Sequence, residues 1–164
     1  MLFRSENIVL VGMPGAGKTT IGKMISKITD KPFIDMDAEI EKESGMTIPE
    51  IFRHSGESVF RDMEAAAAAR LGKERGLVIA TGGGTVLRNE NIDALRQNGK
   101  IVHVKRPFES LSTEGRPLSK SMEALIQMRT ERMPLYEAAS DVEYNNIYDK
   151  NLTMKNLASL IEKL

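Results

Sequence analysis

A chain of 164 residues fits one domain and can bury a hydrophobic core without disulfides or a structural metal. Its 23 basic and 23 acidic residues balance, and no long run of like charge marks a nucleic-acid-binding tail or a membrane-binding patch. The sequence has no cysteine, which excludes disulfide frameworks and thiolate metal sites and suits a reducing cytoplasm.

Strands and helices alternate along the predicted chain. Short apolar runs predict five strands, at residues 8–11, 33–34, 77–80, 101–104 and 142–144. A capping box of Thr47 and Glu50 begins a short predicted helix. Apolar residues at helical spacing predict four longer helices, at residues 19–29, 57–73, 121–132 and 152–164. The alternation indicates an α/β fold with a parallel sheet, whose functional loops lie at the carboxyl ends of the strands.

Residues 12–19, GMPGAGKT, follow the first predicted strand and match the phosphate-binding pattern G-x-x-x-x-G-K-[ST]. Glycines let successive backbone N–H groups converge on phosphate oxygens, and the next helix adds its positive N-terminus. We expect Lys18 to reach the terminal phosphates and the Thr19 hydroxyl to bind Mg²⁺. An ordinary turn is the alternative, but the flanking strand and helix favour a nucleoside triphosphate. The expected nucleotide-binding residues are Gly15, Ala16, Gly17, Lys18, Thr19 and Thr20.

The second polar stretch, DMD, places Asp35 and Asp37 at the end of the second predicted strand. Strand alternation points both side chains the same way. One carboxylate of such a pair can hold Mg²⁺ through water, while the other accepts a hydroxyl proton or orients the hydroxyl for in-line attack. The alternatives are solvated loop acids or helix caps, since Asp37 is also placed to cap a helix that contains Glu41.

The third polar stretch, TGGGT, follows the third predicted strand and contains three adjacent glycines. Ordering them costs much backbone entropy, so something must approach that backbone closely, or its dihedral angles must be ones that other residues avoid. We expect these glycines to leave room for an acceptor against the backbone.

Arginines provide candidate binding groups for an anion. Arg61 and Glu64 lie three residues apart, so Glu64 can hold the guanidinium while it forks onto an anionic group; a surface ion pair is the alternative. Arg116 and Arg132 follow the fourth predicted strand, where cationic side chains can neutralise a transferred phosphoryl group. The residues together predict an acceptor with a carboxylate, bound by arginines, and hydroxyls, bound by Asp37.

Six segments resemble, in order and over nearly the whole chain, the pattern of shikimate kinases: GMPGAGKTT, FIDMD, FRDMEAAA, TGGG, GRPL and RMPLYEAA. The resemblance implies a single three-layer α/β/α P-loop domain over residues 1–164, of the nucleoside-monophosphate-kinase-like type. Such a domain has a five-stranded parallel sheet, a helical substrate-binding region, here at about residues 35–64, and a short lid, here at about 109–120. The implied reaction is Mg²⁺-dependent transfer of the ATP γ-phosphate to the 3-hydroxyl of shikimate, in the chorismate pathway to aromatic amino acids.

The resemblance also implies roles for single residues. Lys18, Asp37 and Arg116 are the implied catalytic residues, with Arg116 the lid arginine that reaches the nucleotide phosphates. Thr19, and Asp35 through water, are the implied Mg²⁺ ligands. Shikimate is expected to contact Asp37, Arg61, Gly82, Gly83, Gly84 and Arg132. We expect ATP and shikimate as partners, neither nucleic acid nor membrane, and a cytoplasmic monomer.

The sequence departs from the family pattern at residues 108–115, FESLSTEG. An arginine near the adenine is expected there and none is present, although Arg106 is a candidate substitute. The connection before Arg116 is also several residues short. Adenine-contacting residues around 148–151 have no motif, and His54 and His103 are interpreted as structural.

The departure leaves three hypotheses for the function. The first is an active shikimate kinase with a short lid. The second is a kinase for another hydroxylated acid or sugar, such as gluconate; the combination of Arg61, Arg132 and three glycines argues against it. The third is a non-catalytic regulator that binds nucleotide or shikimate, against which the intact Lys18, Asp35 and Asp37 argue.

Overall fold

The computed structural model describes residues 5–111, 121–147 and 149–164. It has five strands: β1 (Asn7–Val11), β2 (Phe33–Asp35), β3 (Val78–Ala80), β4 (Gly99–Lys105) and β5 (Val142–Asn145). Six α-helices connect or follow them: α1 (Lys18–Thr29), α2 (Met36–Ser44), α3 (Ile48–Lys73), α4 (Asn89–Arg96), α5 (Met122–Ala139) and α6 (Lys150–Lys163). No helix within these ranges is long and apolar enough to cross a bilayer.

The strands form one sheet in the order β2-β3-β1-β4-β5, and every neighbouring pair is parallel. β1 lies at the centre, with Ile8 opposite Val78 of β3 and Lys100 of β4. All five residues of β1 are buried, as its apolar run predicts. The chain adds β2 and β3 on one side of β1, then β4 and β5 on the other. The loop after β1 therefore lies in the crevice where the strand order reverses.

Helices cover both faces of the sheet. Ile8 and Leu10 of β1 point to one face and join a core with residues of α1 and α6, such as Ile21 and Leu157. Val9, between them, points to the other face and joins a core built mainly from α2, α3, α4 and α5. The two cores confirm the predicted three-layer α/β/α architecture with a five-stranded parallel sheet.

Two predicted helices are longer than expected. The capping box is present, with the Thr47 N–H donating to Glu50 at 2.8 Å and the Glu50 N–H donating to Thr47 at 3.3 Å. The short helix that it begins joins the next one as α3, with a single non-helical residue, Gly56, at φ 84°. α5 continues through Pro134 to Ala139, beyond the predicted end. α4 was not predicted; its Ile92 and Leu95 are buried one turn apart.

Only the first residue of the DMD stretch belongs to a strand, whereas the prediction placed both aspartates there. β2 ends at Asp35, and Asp37 lies in the first turn of α2. Asp35 caps this helix, because its Oδ1 accepts from the N–H groups of Asp37 at 3.0 Å and Ala38 at 3.3 Å. The cap of α2 is therefore Asp35 and not Asp37, and strand alternation does not orient the two carboxylates.

Candidate functional site

The carboxyl ends of β1, β2 and β3 open onto a cavity of about 390 Å³. The structure brings twelve of the predicted site residues to this cavity: Gly15, Gly17, Lys18, Thr19, Thr20, Asp35, Asp37, Arg61, Gly82, Gly83, Gly84 and Arg132. Ala16, in the same loop, is instead buried in the core with residues of α1 and α6. Arg116 and most of the expected lid lie outside the described residues.

The phosphate loop after β1 surrounds its own lysine. Lys18 Nζ donates to the carbonyl oxygens of Gly12 at 2.7 Å and Met13 at 2.9 Å, and the side chain is buried. α1 begins at Lys18 without a side-chain cap, and its first residues, Lys18, Thr19 and Thr20, line the cavity. A buried ammonium group and a helix N-terminus at one place form a site for a polyphosphate.

Thr19 and Asp35 meet at the edge of the loop. The Thr19 hydroxyl donates to Asp35 Oδ2 at 3.1 Å, while Asp35 Oδ1 caps α2. A hydroxyl and a carboxylate oxygen are the hard ligands that Mg²⁺ prefers, so these residues fit the expected metal. Elsewhere among the described residues, no group of three His, Cys, Asp or Glu side chains could hold a metal ion.

Asp37 presents a buried carboxylate to the cavity. Its Oδ1 has no hydrogen-bond partner among the described residues. Burial is the main cause that raises the pKa of Asp37, from 3.8 to about 6, and the negative charges of Asp35 and Glu64 add to the increase. The carboxylate is therefore ionised at neutral pH and is a better proton acceptor than an ordinary aspartate.

Arg61 is held by a buried acid on α3, Glu64. Its Nη1 lies 2.9 Å from Glu64 Oε1, with Arg61 8% and Glu64 1% exposed. The other Glu64 oxygen accepts from the Thr85 hydroxyl at 3.0 Å. These contacts confirm the predicted pair and exclude the alternative of a surface ion pair. The guanidinium is thus fixed in the wall of the cavity, where it can bind an anion.

Arg132, on α5, provides a second cation to the cavity. The side chain is only 6% exposed and hydrogen-bonds to Tyr136, but no carboxylate of the described residues pairs with it. A buried cation without a countercharge is expensive unless a ligand neutralises it. Arg132 therefore predicts an anionic ligand in this cavity.

The three glycines are required by the side chains around them. A Cβ on Gly82 would lie 2.8 Å from Asp37 Oδ1 and 3.0 Å from Glu64 Oε2. A Cβ on Gly84 would lie 2.6 Å from Arg61 Cζ, and one on Gly83 would lie 2.8 Å from a carbon of Pro14. The expectation that the glycines simply leave room for an acceptor is therefore incomplete, since they also make room for the residues that face it.

Sequence reasoning missed one contact to the phosphate loop and left a second open. Asn146, just after β5, donates through Nδ2 to the Ala16 carbonyl at 2.9 Å. Arg106, just after β4, donates to the Gly15 carbonyl at 3.1 Å and lines the cavity. Both residues follow the carboxyl end of a strand, where a parallel sheet places its functional loops. Their position after a predicted strand was therefore the signal that could have identified them.

His103 has the structural role expected of it. It is 1% exposed and its ring centroid lies 5.2 Å from that of Tyr136. Burial lowers the pKa of His103 to about 4, against the opposing effect of Glu143, so the imidazole is neutral at physiological pH. It therefore packs as an uncharged ring.

Comparison with known proteins connects this geometry to one family. A family model described as shikimate kinase matches residues 14–162 of this chain. The shikimate kinase of Clostridium beijerinckii is 44% identical over 141 residues, which cover 83% of each chain. That of Caldicellulosiruptor bescii is 42% identical over 164 residues, which cover 94% of this chain and 95% of the relative.

Solved structures agree with the sequence relatives. A shikimate kinase from Acinetobacter baumannii, solved in complex with shikimate, matches with a TM-score of 0.88 at 32% identity. The match covers 97% of this chain and 94% of that one. Because the family model spans almost the whole chain and the relatives match at high coverage, the chain belongs to the shikimate kinase family.

Proposed function

We propose that the residues of this cavity transfer the γ-phosphate of ATP to the 3-hydroxyl of shikimate. Membership of the family makes the chain an ATP-dependent small-molecule kinase. One observation carries the residue assignment: the two buried arginines and Asp37 line the same cavity as the phosphate loop. A carboxylate, a hydroxyl and a polyphosphate therefore find complementary groups in one cavity.

On the acceptor side, shikimate has one carboxylate and three hydroxyls. Arg61 and Arg132 are the proposed carboxylate ligands, because both are buried cations of the cavity wall. Asp37 is proposed to bind the reacting hydroxyl and accept its proton, which the raised pKa of its carboxyl favours. The backbone of Gly82, Gly83 and Gly84 is the proposed floor under the ring.

On the donor side, the phosphate loop and the first turn of α1 are proposed to bind the phosphates of ATP, with Lys18 at the terminal ones. Mg²⁺, held by Thr19 and through water by Asp35, would offset the phosphate charge. Arg106 adds a cation at the same loop, through its contact to the Gly15 carbonyl. Arg116 is proposed to act from the lid, at about residues 109–120, over a substrate-binding region at about residues 35–64. We also propose that the protein is a monomer and acts in the cytoplasm.

The proposal is tested by measuring ADP release from Mg-ATP with shikimate, with gluconate and with no acceptor. Shikimate is expected to raise the rate well above the background, and gluconate is not. A rate with shikimate equal to the background would contradict the proposal. In that event a thermal-shift titration distinguishes a non-catalytic binding protein, because a ligand that binds the folded state raises its Tm.

Replacing Gly84 with alanine is expected to raise KM for shikimate about tenfold and leave KM for ATP unchanged. The added Cβ would overlap the Arg61 guanidinium, which is the flexible end of its side chain. The fold is therefore expected to survive, while Arg61 leaves its place beside Glu64. The measurement is steady-state kinetics with each substrate varied.

A double-mutant cycle provides the control for Gly84→Ala. In an Arg61→Met background, the same alanine is expected to change KM for shikimate very little, because the displaced group is already absent. A full tenfold effect in that background would contradict the assignment and give Gly84 a role independent of Arg61.

A further inference from the structure

Tyr136 connects α5 to the glycine loop. The residue is fully buried, and its hydroxyl donates to the Gly83 carbonyl at 2.6 Å. It lies four residues after Arg132, on the same side of the helix. One side chain therefore joins the proposed floor of the shikimate site to the helix that carries a proposed carboxylate ligand.

The carbonyls of all three glycines accept hydrogen bonds from within the protein. Gly82 O accepts from the Thr85 N–H at 3.2 Å, and Gly84 O accepts from the Leu87 N–H at 3.0 Å. Gly83 O accepts from Tyr136. Among the described residues, no acceptor pairs with the N–H of Gly83 or Gly84. Both glycines line the cavity, so these two donors are available to a ligand there.

The contact with Tyr136 fixes one of these donors. The C=O and N–H of a trans peptide point in opposite directions, and the Gly83 carbonyl shares its peptide with the Gly84 N–H. A hydroxyl bound to that carbonyl therefore directs the Gly84 N–H away from Tyr136. Glycine has a wide choice of backbone angles, so without this contact the peptide is free to rotate.

The hydroxyl is suited to a permanent role as donor. Burial raises the pKa of Tyr136 to about 12, although the charge of the Arg132 guanidinium and its hydrogen bond to the hydroxyl oppose the increase. The hydroxyl therefore keeps its proton at any pH at which the enzyme works. The neighbouring ring of His103, with its centroid 5.2 Å away, limits the movement of the aromatic ring.

We propose that Tyr136 is a positioning residue for acceptor recognition, whose hydroxyl holds the Gly83–Gly84 peptide so that the Gly84 N–H faces the acceptor. The inference rests on the proposed function, because the ligand of that N–H is taken to be shikimate. Tyr136 itself contacts the Gly83 carbonyl and the Arg132 guanidinium and not the reacting atoms. Its removal should therefore weaken acceptor binding and leave the chemical step and the nucleotide site intact.

The test compares Tyr136→Phe with Tyr144→Phe. Tyr144 is also buried, but it lies in the core on the opposite face of the sheet. Tyr136→Phe is expected to raise KM for shikimate about tenfold, with kcat and KM for ATP within about twofold of the parent values. Tyr144→Phe is expected to leave all three within about twofold. If the Phe variant does not fold, Tyr136→Met removes the hydroxyl with another side chain of similar length.

Three results would overturn the inference: an unchanged KM for shikimate, an equal increase in KM for both substrates, or the same increase in Tyr144→Phe. A merely structural hydroxyl would lower Tm without separating the two substrates. Failure of the proposed function is distinguishable, because the unmodified chain would then show no turnover with shikimate at all. In a thermal-shift titration, Tyr136→Phe is expected to lose most of the shift with shikimate and keep the shift with Mg-ATP.

Discussion

Asp37→Asn is expected to lower kcat about 100- to 10,000-fold, the usual range for removal of a general base. The amide keeps the shape of the side chain but accepts no proton. Affinity for ATP is expected to stay unchanged, because Asp37 lies on α2 beside Gly82 and not on the phosphate loop. Single-turnover kinetics and nucleotide titration provide the two measurements. Weakened ATP binding in the variant would move Asp37 to the donor side.

A matched control is Asp62→Asn. Asp62 is an exposed aspartate on α3 that pairs with Arg88 at 2.9 Å, outside the cavity. This variant is expected to keep full activity. A similar loss of kcat in Asp62→Asn would show that the effect of Asp37→Asn is not specific to the site.

The raised pKa of Asp37 makes the stability of the fold depend on pH. The folded chain keeps this proton up to about pH 6, whereas a carboxyl with the ordinary pKa of 3.8 loses it earlier. The folded state binds more protons between these values, so the free energy of unfolding falls as the pH rises through them. Above pH 6 the ionised group costs the fold roughly 1–3 kcal/mol.

Two results follow for the same variant and its parent. Asp37→Asn is expected to raise Tm at pH 7.5 by roughly 2–10 °C, and the difference should vanish as the pH falls toward 4. In the parent enzyme, kcat/KM for shikimate is expected to decrease below about pH 6, as the free enzyme gains the proton. A Tm difference that is constant across this range would contradict the raised pKa.

Arg132→Met is expected to raise KM for shikimate roughly 100-fold, because one of two buried cations that face the carboxylate is lost. KM for ATP should stay within about twofold of the parent. The Tm should not fall, since methionine removes a buried charge that has no carboxylate partner among the described residues. Weaker binding of shikimate without a decrease in Tm is therefore the result expected if Arg132 binds the carboxylate.

Arg129→Met is the matched control for Arg132→Met. Arg129 lies on the same helix, three residues earlier, and is exposed to solvent. Its guanidinium carbon lies 5.8 Å from the centroid of the Phe108 ring, and it is not part of the cavity wall. The Arg129→Met substitution is expected to leave KM for shikimate unchanged. Equal effects of the two substitutions would indicate a general effect of positive charge and would contradict the assignment of Arg132.

The features that could be predicted from the sequence are those encoded within a few residues. The phosphate loop needs only its glycines, Lys18 and the adjacent strand and helix. The pair of Arg61 and Glu64 follows from one turn of a helix. Strands follow from short apolar runs, which is why all five were found, although the edge strands β2 and β5 are only partly buried.

Features that depend on distant parts of the chain were missed or given the wrong reason. Pro134 ordinarily ends a helix, but Tyr136 and Ala139 beyond it are buried, and their packing keeps α5 helical to Ala139. The DMD spacing suits a strand, yet Asp35 caps a helix there. The partners of the three glycines, such as Pro14 and Arg61, lie far from them in the sequence. No local pattern encodes such a contact.

The contact between Asn146 and the Ala16 carbonyl joins residues 130 positions apart. During synthesis, the loop that contains Ala16 leaves the ribosome long before Asn146 is made. At roughly 5–20 residues per second, the interval is on the order of ten seconds. During this interval the loop lacks Asn146 as a partner, and β5 is not yet present to extend the sheet. The nascent chain therefore completes its phosphate loop only after β5 and Asn146 have been made.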